Sequence, residues 1–147
     1  MFRAKCLSLI VMLAATGVVA AQSSKTYRAR LSPVALDVAM QATVSGSGSV
    51  TAVLTGTKLS INGAFDGLKS PATIAQIHKG PIRGVRGPTA FDLTVVPGMN
   101  GTISGTFTLT PLQVTDLEKG RLYVQLHSEK APDGNLWGWL LLQETKR

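Results

Sequence analysis

The segment Lys58-Leu59-Ser60-Ile61-Asn62-Gly63-Ala64-Phe65 alternates polar and apolar side chains. Successive side chains on a strand point to opposite faces, so this segment reads as a strand with Leu59, Ile61 and Phe65 turned inward. The same period of two recurs on either side of it. Thr26 to Leu31 alternates and stops at Pro33, and Val50 to Leu54 follows the loop Ser45-Gly46-Ser47-Gly48-Ser49. Thr73 to His78, Ala90 to Val96, Thr102 to Leu109, Arg121 to His127 and Leu136 to Leu142 complete the set. About eight short strands broken by turn residues predict an all-β, antiparallel sandwich or barrel.

One helix interrupts the strands. Thr110-Pro111-Leu112-Gln113 is a capping box, with Pro111 at the first helical position, where its missing N–H costs nothing. Gly120 suits the left-handed residue that ends the helix, and Lys119 lies near its negative end. The short helix falls before the penultimate strand and is expected to pack over one end of the sheets.

The chain has 147 residues, 44% of them hydrophobic and only 16% charged, a balance that excludes global disorder. Residues 1–21 read as a cleaved signal peptide. Arg3 and Lys5 precede an apolar run from Cys6 to Val19, and Ala20-Ala21 offer a cut before Gln22. That run is short of the roughly 20 residues a membrane helix needs. Cys6 is too far upstream to carry a lipid at the cut, and there is no twin Arg.

Residues 22–147 are then one exported domain, periplasmic or secreted, without a membrane span. Removing Arg3 and Lys5 leaves 13 basic against 8 acidic residues, a net charge of +5. Removing Cys6 leaves no cysteine, so disulfides, thiol catalysis and thiolate metal sites are all excluded.

Few residues are left to carry chemistry. His78 and His127 are the only histidines, and each ends a strand. His78 shares its face with Gln76, and His127 shares its face with Tyr123 and Gln125, while Leu122, Val124 and Leu126 take the core side. If the two strands are neighbours, the imidazoles can approach each other. His78 and His127 are therefore candidate zinc or copper ligands, with Gln76 and Tyr123 beside them. Two ligands are too few by themselves, and Asp92, Glu129 or Asp133 would have to join. The alternative is that each imidazole hydrogen-bonds to loop backbone and holds a turn, with no cofactor.

A basic loop, from His78 to Pro88, sets Lys79, Arg83 and Arg86 among glycines and prolines. Such a loop suits an anionic polymer or a lipid headgroup, or simply solvent. Nucleic acid is not expected, because no aromatic residues interleave with these charges. Trp137 and Trp139 share one face of the last strand, either as a glycan-stacking patch or as packing. No nucleophile elbow accompanies either His, and the acids are scattered, so no catalytic constellation is found and no enzyme is expected.

The order of these segments resembles the CHRD domain, first described in chordin and present in many exported bacterial proteins. The resemblance opens at Tyr27-Arg28-Ala29-Arg30-Leu31-Ser32 and continues through Ala75-Gln76-Ile77-His78-Lys79-Gly80 and Gly87-Pro88. It closes with Gly120-Arg121-Leu122-Tyr123-Val124-Gln125-Leu126-His127-Ser128 and Pro132-Asp133-Gly134-Asn135-Leu136-Trp137-Gly138-Trp139-Leu140. The chain departs from the family at Gln76, where a further His is frequent, and at Asn135 and Trp137, which replace Glu and Arg. The resemblance implies an immunoglobulin-like β-sandwich and no established reaction. The expected role is a binding or envelope-associated module for a protein, a glycan or an anionic envelope component. Copper/zinc superoxide dismutases are also sandwiches, but their site needs about six His and an Asp, and this chain has two His.

Overall fold

The computed structural model describes residues 20–144, so most of the expected signal peptide lies outside the described residues. Nine strands follow in chain order: β1 Ser24–Pro33, β2 Ser47–Thr55, β3 Lys58–Asp66, β4 Ala72–Lys79, β5 Thr89–Val95, β6 Gly101–Thr108, β7 Leu122–Ser128, β8 Ala131–Trp139 and β9 Leu141–Leu142. A short 3-10 turn, Ala39–Ala42, lies between β1 and β2, and the helix α1, Pro111–Glu118, lies between β6 and β7. The capping box forms as expected. The Gln113 amide donates to the Thr110 hydroxyl at 3.3 Å, and the Thr110 amide donates to the Gln113 side chain at 2.8 Å. Gly120 takes φ +67°, the left-handed value expected after the helix.

Every strand pairing is antiparallel, and the order β2-β3-β6-β5-β4-β7-β8-β1 closes because β1 also pairs with β2. The fold is therefore an eight-stranded barrel, not the immunoglobulin-like sandwich expected above. The reason lies in two strands that change partners along their length. β5 pairs with β4 up to Leu93 and with β6 from Thr94. β1 pairs along one edge with β2 from Ser24 to Leu31, and by its other edge with β8 at Ser32 and Pro33. These two strands join what would otherwise be separate layers, so the sheet has no free edge. The expected last strand is also divided, into β8 and β9, with β9 pairing to β1 at Tyr27 and Arg28.

Inward side chains fill the barrel. Leu31, Val50, Leu59, Ile61, Ile77, Val124, Leu126 and Leu136 are all 0–1% exposed. Burying each such side chain contributes about 1.5–3 kcal/mol. Eight strands enclose just enough space for packed side chains, so the interior is a core, and chemistry has to happen on the outside. Leu117 and Asp116 of α1 are also buried, so the helix closes one end of the barrel.

Candidate functional site on the outer face

β7 is buried on both faces. Leu122, Val124 and Leu126 face the core, as expected, but Tyr123 and Gln125 on the other face are only 1% and 3% exposed. The basic loop covers Tyr123, and Gln125 donates to the Asp133 carbonyl at 2.7 Å at the start of β8. The loop folds back across the outer face of β4, β7 and β8, with the Lys79 amide donating to the Pro88 carbonyl at 2.9 Å and the Gly80 amide to the Arg121 carbonyl at 2.8 Å. Gly87 anchors it further. Its amide donates to the Tyr123 hydroxyl at 3.1 Å, and its carbonyl accepts from that hydroxyl at 3.1 Å.

Four rings assemble beneath the loop. Tyr123 stacks on His78 at 5.1 Å and on Trp137 at 5.6 Å, with interplanar angles of 15° and 13°. Trp139, directly opposite Tyr123 in the ladder, tilts against it at 4.6 Å. The Arg86 guanidinium lies 4.8 Å over the Trp137 ring, a cation–π contact. The two tryptophans are thus half-buried, each with its ring against Tyr123.

The histidines keep their strand positions. His78 stands opposite Tyr123, so His127 lies four residues further on, an offset of about 13 Å along the strand. Each ring holds its Nδ1 against a backbone carbonyl, His78 to Gly87 at 3.0 Å and His127 to Pro132 at 2.7 Å. A carbonyl only accepts, so each Nδ1 carries a proton, and in a neutral ring the Nε2 is then a lone pair. Both Nε2 atoms are buried without a hydrogen-bond partner, as is the Trp137 Nε1. Burial lowers the His78 pKa below 6.5 against the opposing pull of the Gly87 carbonyl, and the charges of His127 and Arg86 push it the same way. His78 is therefore neutral at neutral pH. Gln76 turns to β5 instead, donating to Asp92 at 2.8 Å. Among the described residues no three of His, Cys, Asp and Glu group as a metal site.

The three loop cations separate. Lys79 pairs with Asp116 at 2.7 Å, and Arg121 reaches the same carboxylate at 3.2 Å. Arg86 covers Trp137, and Arg83 stays exposed. Burial alone would raise the Asp116 carboxyl, but hydrogen bonds from Lys79 and Arg121, with their charges, hold it below its usual 3.8. Asp116 attracts no notice in the sequence, where it looks like a solvent-facing helix residue.

A second element of the site also escaped the sequence reading. A groove of about 630 Å³ runs beside the ring cluster, along the seam between β1 and the end of the chain. Pairing there is formed at Arg28–Leu141 and again at Ser32–Trp137, and it lapses over the three residues between. Arg28, Arg30 and Arg83 rim the groove, and Trp137, Trp139 and Leu141 contribute apolar surface. Arg28 and Arg30 alternate with buried Tyr27, Ala29 and Leu31, so their outward direction is legible from the period of two. Their closeness to the tryptophans depends on the β1–β8 pairing.

A closed antiparallel barrel with one end helix, an aromatic and imidazole cluster on its outer wall and an arginine-rimmed groove beside it defines the class. The chain belongs to the CHRD domain family, whose model matches residues 27–140. That span takes in the barrel wall from Tyr27 in β1 through β8 and both histidines. No curated protein and no solved structure matches the chain.

Proposed function

We propose that this chain is an exported, non-enzymatic binding module that works through the outer face of β7 and β8 and the groove beside it. The observation that carries this reading is the groove itself, open on the barrel wall and lined by arginine and tryptophan. A filled barrel interior leaves the outer wall as the place for a ligand. Open grooves with aromatic floors and a few placed polar groups are typical of binding sites. The charged start, the apolar run and Ala20-Ala21 support export to the periplasm or beyond. No helix among the described residues is long and apolar enough to cross a membrane.

Expressed with its own N-terminus, the chain is expected outside the cytosol with Gln22 as its first residue, read from intact mass. It is also expected to be retained on envelopes isolated from the same cells. A chain that keeps Met1 and stays in the cytosol defeats the reading, as does a mature chain that passes over envelopes unretained.

The unpartnered Nε2 atoms favour one second reading, zinc or copper binding at His78 and His127. Metal-ligating histidines commonly tie the other ring nitrogen to a carbonyl, as both do here. Titration with zinc and with copper(II) should then saturate, and because the two rings stand too far apart to share one ion, His78→Ala and His127→Ala should each remove part of the binding. Saturation untouched by either substitution ends this reading.

A further inference from the structure

We infer that the groove along the β1–β8 seam takes an anionic saccharide chain, one whose sugars carry carboxylate or phosphate groups. This inference rests on the binding-module reading and names the ligand class of its site.

Charge is the first argument. The groove is rimmed by Arg28, Arg30 and Arg83, and no acidic residue lines it. Among the described residues, the carboxylates within ion-pair distance of a Lys or Arg are Glu118, bound to Lys25, and Asp116, bound to Lys79 and Arg121. The three groove arginines are exposed and have no such partner. Three other cations, Lys25, Lys79 and Arg121, do find such a partner. Guanidinium is a planar fork that grips carboxylate or phosphate through two parallel hydrogen bonds.

Spacing is the second. Arg28 and Arg30 project from the same strand face two residues apart, about 7 Å along β1. Arg83 reaches the groove from a different element, the loop over β7. Cations at separate stations along an open channel suit a chain with recurring negative groups better than one isolated anion.

The floor is the third. Trp137 and Trp139 give the groove apolar surface of the kind sugar rings lie against through their C–H faces. Tyr123 packs on both indoles and Arg86 sits over Trp137, so only the uncovered remainder of each ring faces the groove, enough for the C–H groups of a sugar and too little to stack a base. A bilayer is flat and does not need a channel. The two indoles are the only tryptophans in the chain, so fluorescence reports on this groove alone.

The test uses the full chain and four probes: oligogalacturonate, its methyl-esterified neutral counterpart, a single-stranded oligonucleotide and phosphatidylglycerol vesicles. Binding is followed by tryptophan emission and by calorimetry. Oligogalacturonate is expected to bind saturably and about tenfold more tightly than the neutral ester, the equivalent of one charge-assisted contact. The double substitution Arg30→Gln with Arg83→Gln should weaken it by about tenfold or more, and raising the salt should weaken it further. Both side chains are exposed, so the melting curve should not move. Lys58→Gln removes one positive charge two strands away and should leave binding unchanged.

Equal affinity for the charged and neutral oligomers overturns the inference. So does tighter binding of the oligonucleotide or the vesicles, and so does an arginine double variant that binds as the parent does. If oligogalacturonate fails while the chain is still retained on envelopes, the anionic-saccharide inference falls and the binding-module reading stands. If retention fails as well, both fall.

Discussion

Replacing Asp116 by Ala is expected to cost about 3 kcal/mol of folding free energy, measured by urea denaturation of the parent and the variant. The side chain is fully buried, yet it is charged, and its two oxygens face Lys79 of β4 and Arg121 at the head of β7. One carboxylate therefore ties the end helix to two strands of the wall. Deleting it leaves two cations with no counter-charge. Both are part-exposed, 38% and 30%, and water can reclaim them, which keeps the loss at the lower end for a broken buried pair. The acid limb of the stability profile gives an independent check. The carboxyl titrates below 3.8 in the fold, so its contribution is complete above about pH 4 and is lost as pH falls through the folded value. The gap between parent and variant should narrow over that window. A gap that does not narrow on acidification, or is absent at pH 7, would show that the carboxylate is not held as described.

Gly87→Ala is expected to dislodge the loop over β7 and to cost about 2–3 kcal/mol. A Cβ at this position would run into the Lys79 carbonyl oxygen and crowd the Gly80 backbone, neither of which is a flexible side-chain tip. The clash cannot be relieved without moving the segment that supplies a carbonyl to His78 and a hydrogen-bond pair to Tyr123. Arg86, one residue earlier, would leave the Trp137 ring with it. The expected signature is a lower melting temperature with a red-shifted tryptophan emission, since water would reach the indoles. Tyr123→Phe is the milder comparison. It keeps the ring stack and removes only the hydroxyl, so about 1 kcal/mol and little change in emission are expected. An alanine at 87 that melts and fluoresces as the parent does would mean that the loop is not pinned at this glycine.

The strands were legible because a half-buried strand writes its own orientation into every second residue. Leu59, Ile61 and Phe65 face inward as their alternation requires, and so do Leu122, Val124 and Leu126. The helix was legible because Thr110, Pro111, Gln113 and Gly120 act within one turn of their own backbone. Tyr123 and Gln125 lie on the more polar face of β7, as their alternation requires, yet they are buried. The return of the loop from Gly80 to Pro88, a non-local event, covers Tyr123, while Gln125 is capped by the start of β8, where its side chain donates to the Asp133 carbonyl. Asp116 was invisible for a similar reason. Its partners Lys79 and Arg121 lie on different elements, and a single acid on a short helix shows nothing of them.

By itself, then, the sequence determined which stretches are strands, which side of each is apolar, where the helix begins and ends, and that the chain is a CHRD domain. Each of these is set by residues a few positions apart, and local alternation and capping act over that range. Closure into a barrel, the stacking of His78, Tyr123, Trp137 and Trp139, and the meeting of Arg28 and Arg30 with Arg83 were decided only by the tertiary structure. An alternating strand buries the same face in a sandwich as in a barrel. Which strand lies against which edge is settled by the pairing of residues a hundred positions apart, such as Ser32 with Trp137, and no local pattern records that choice.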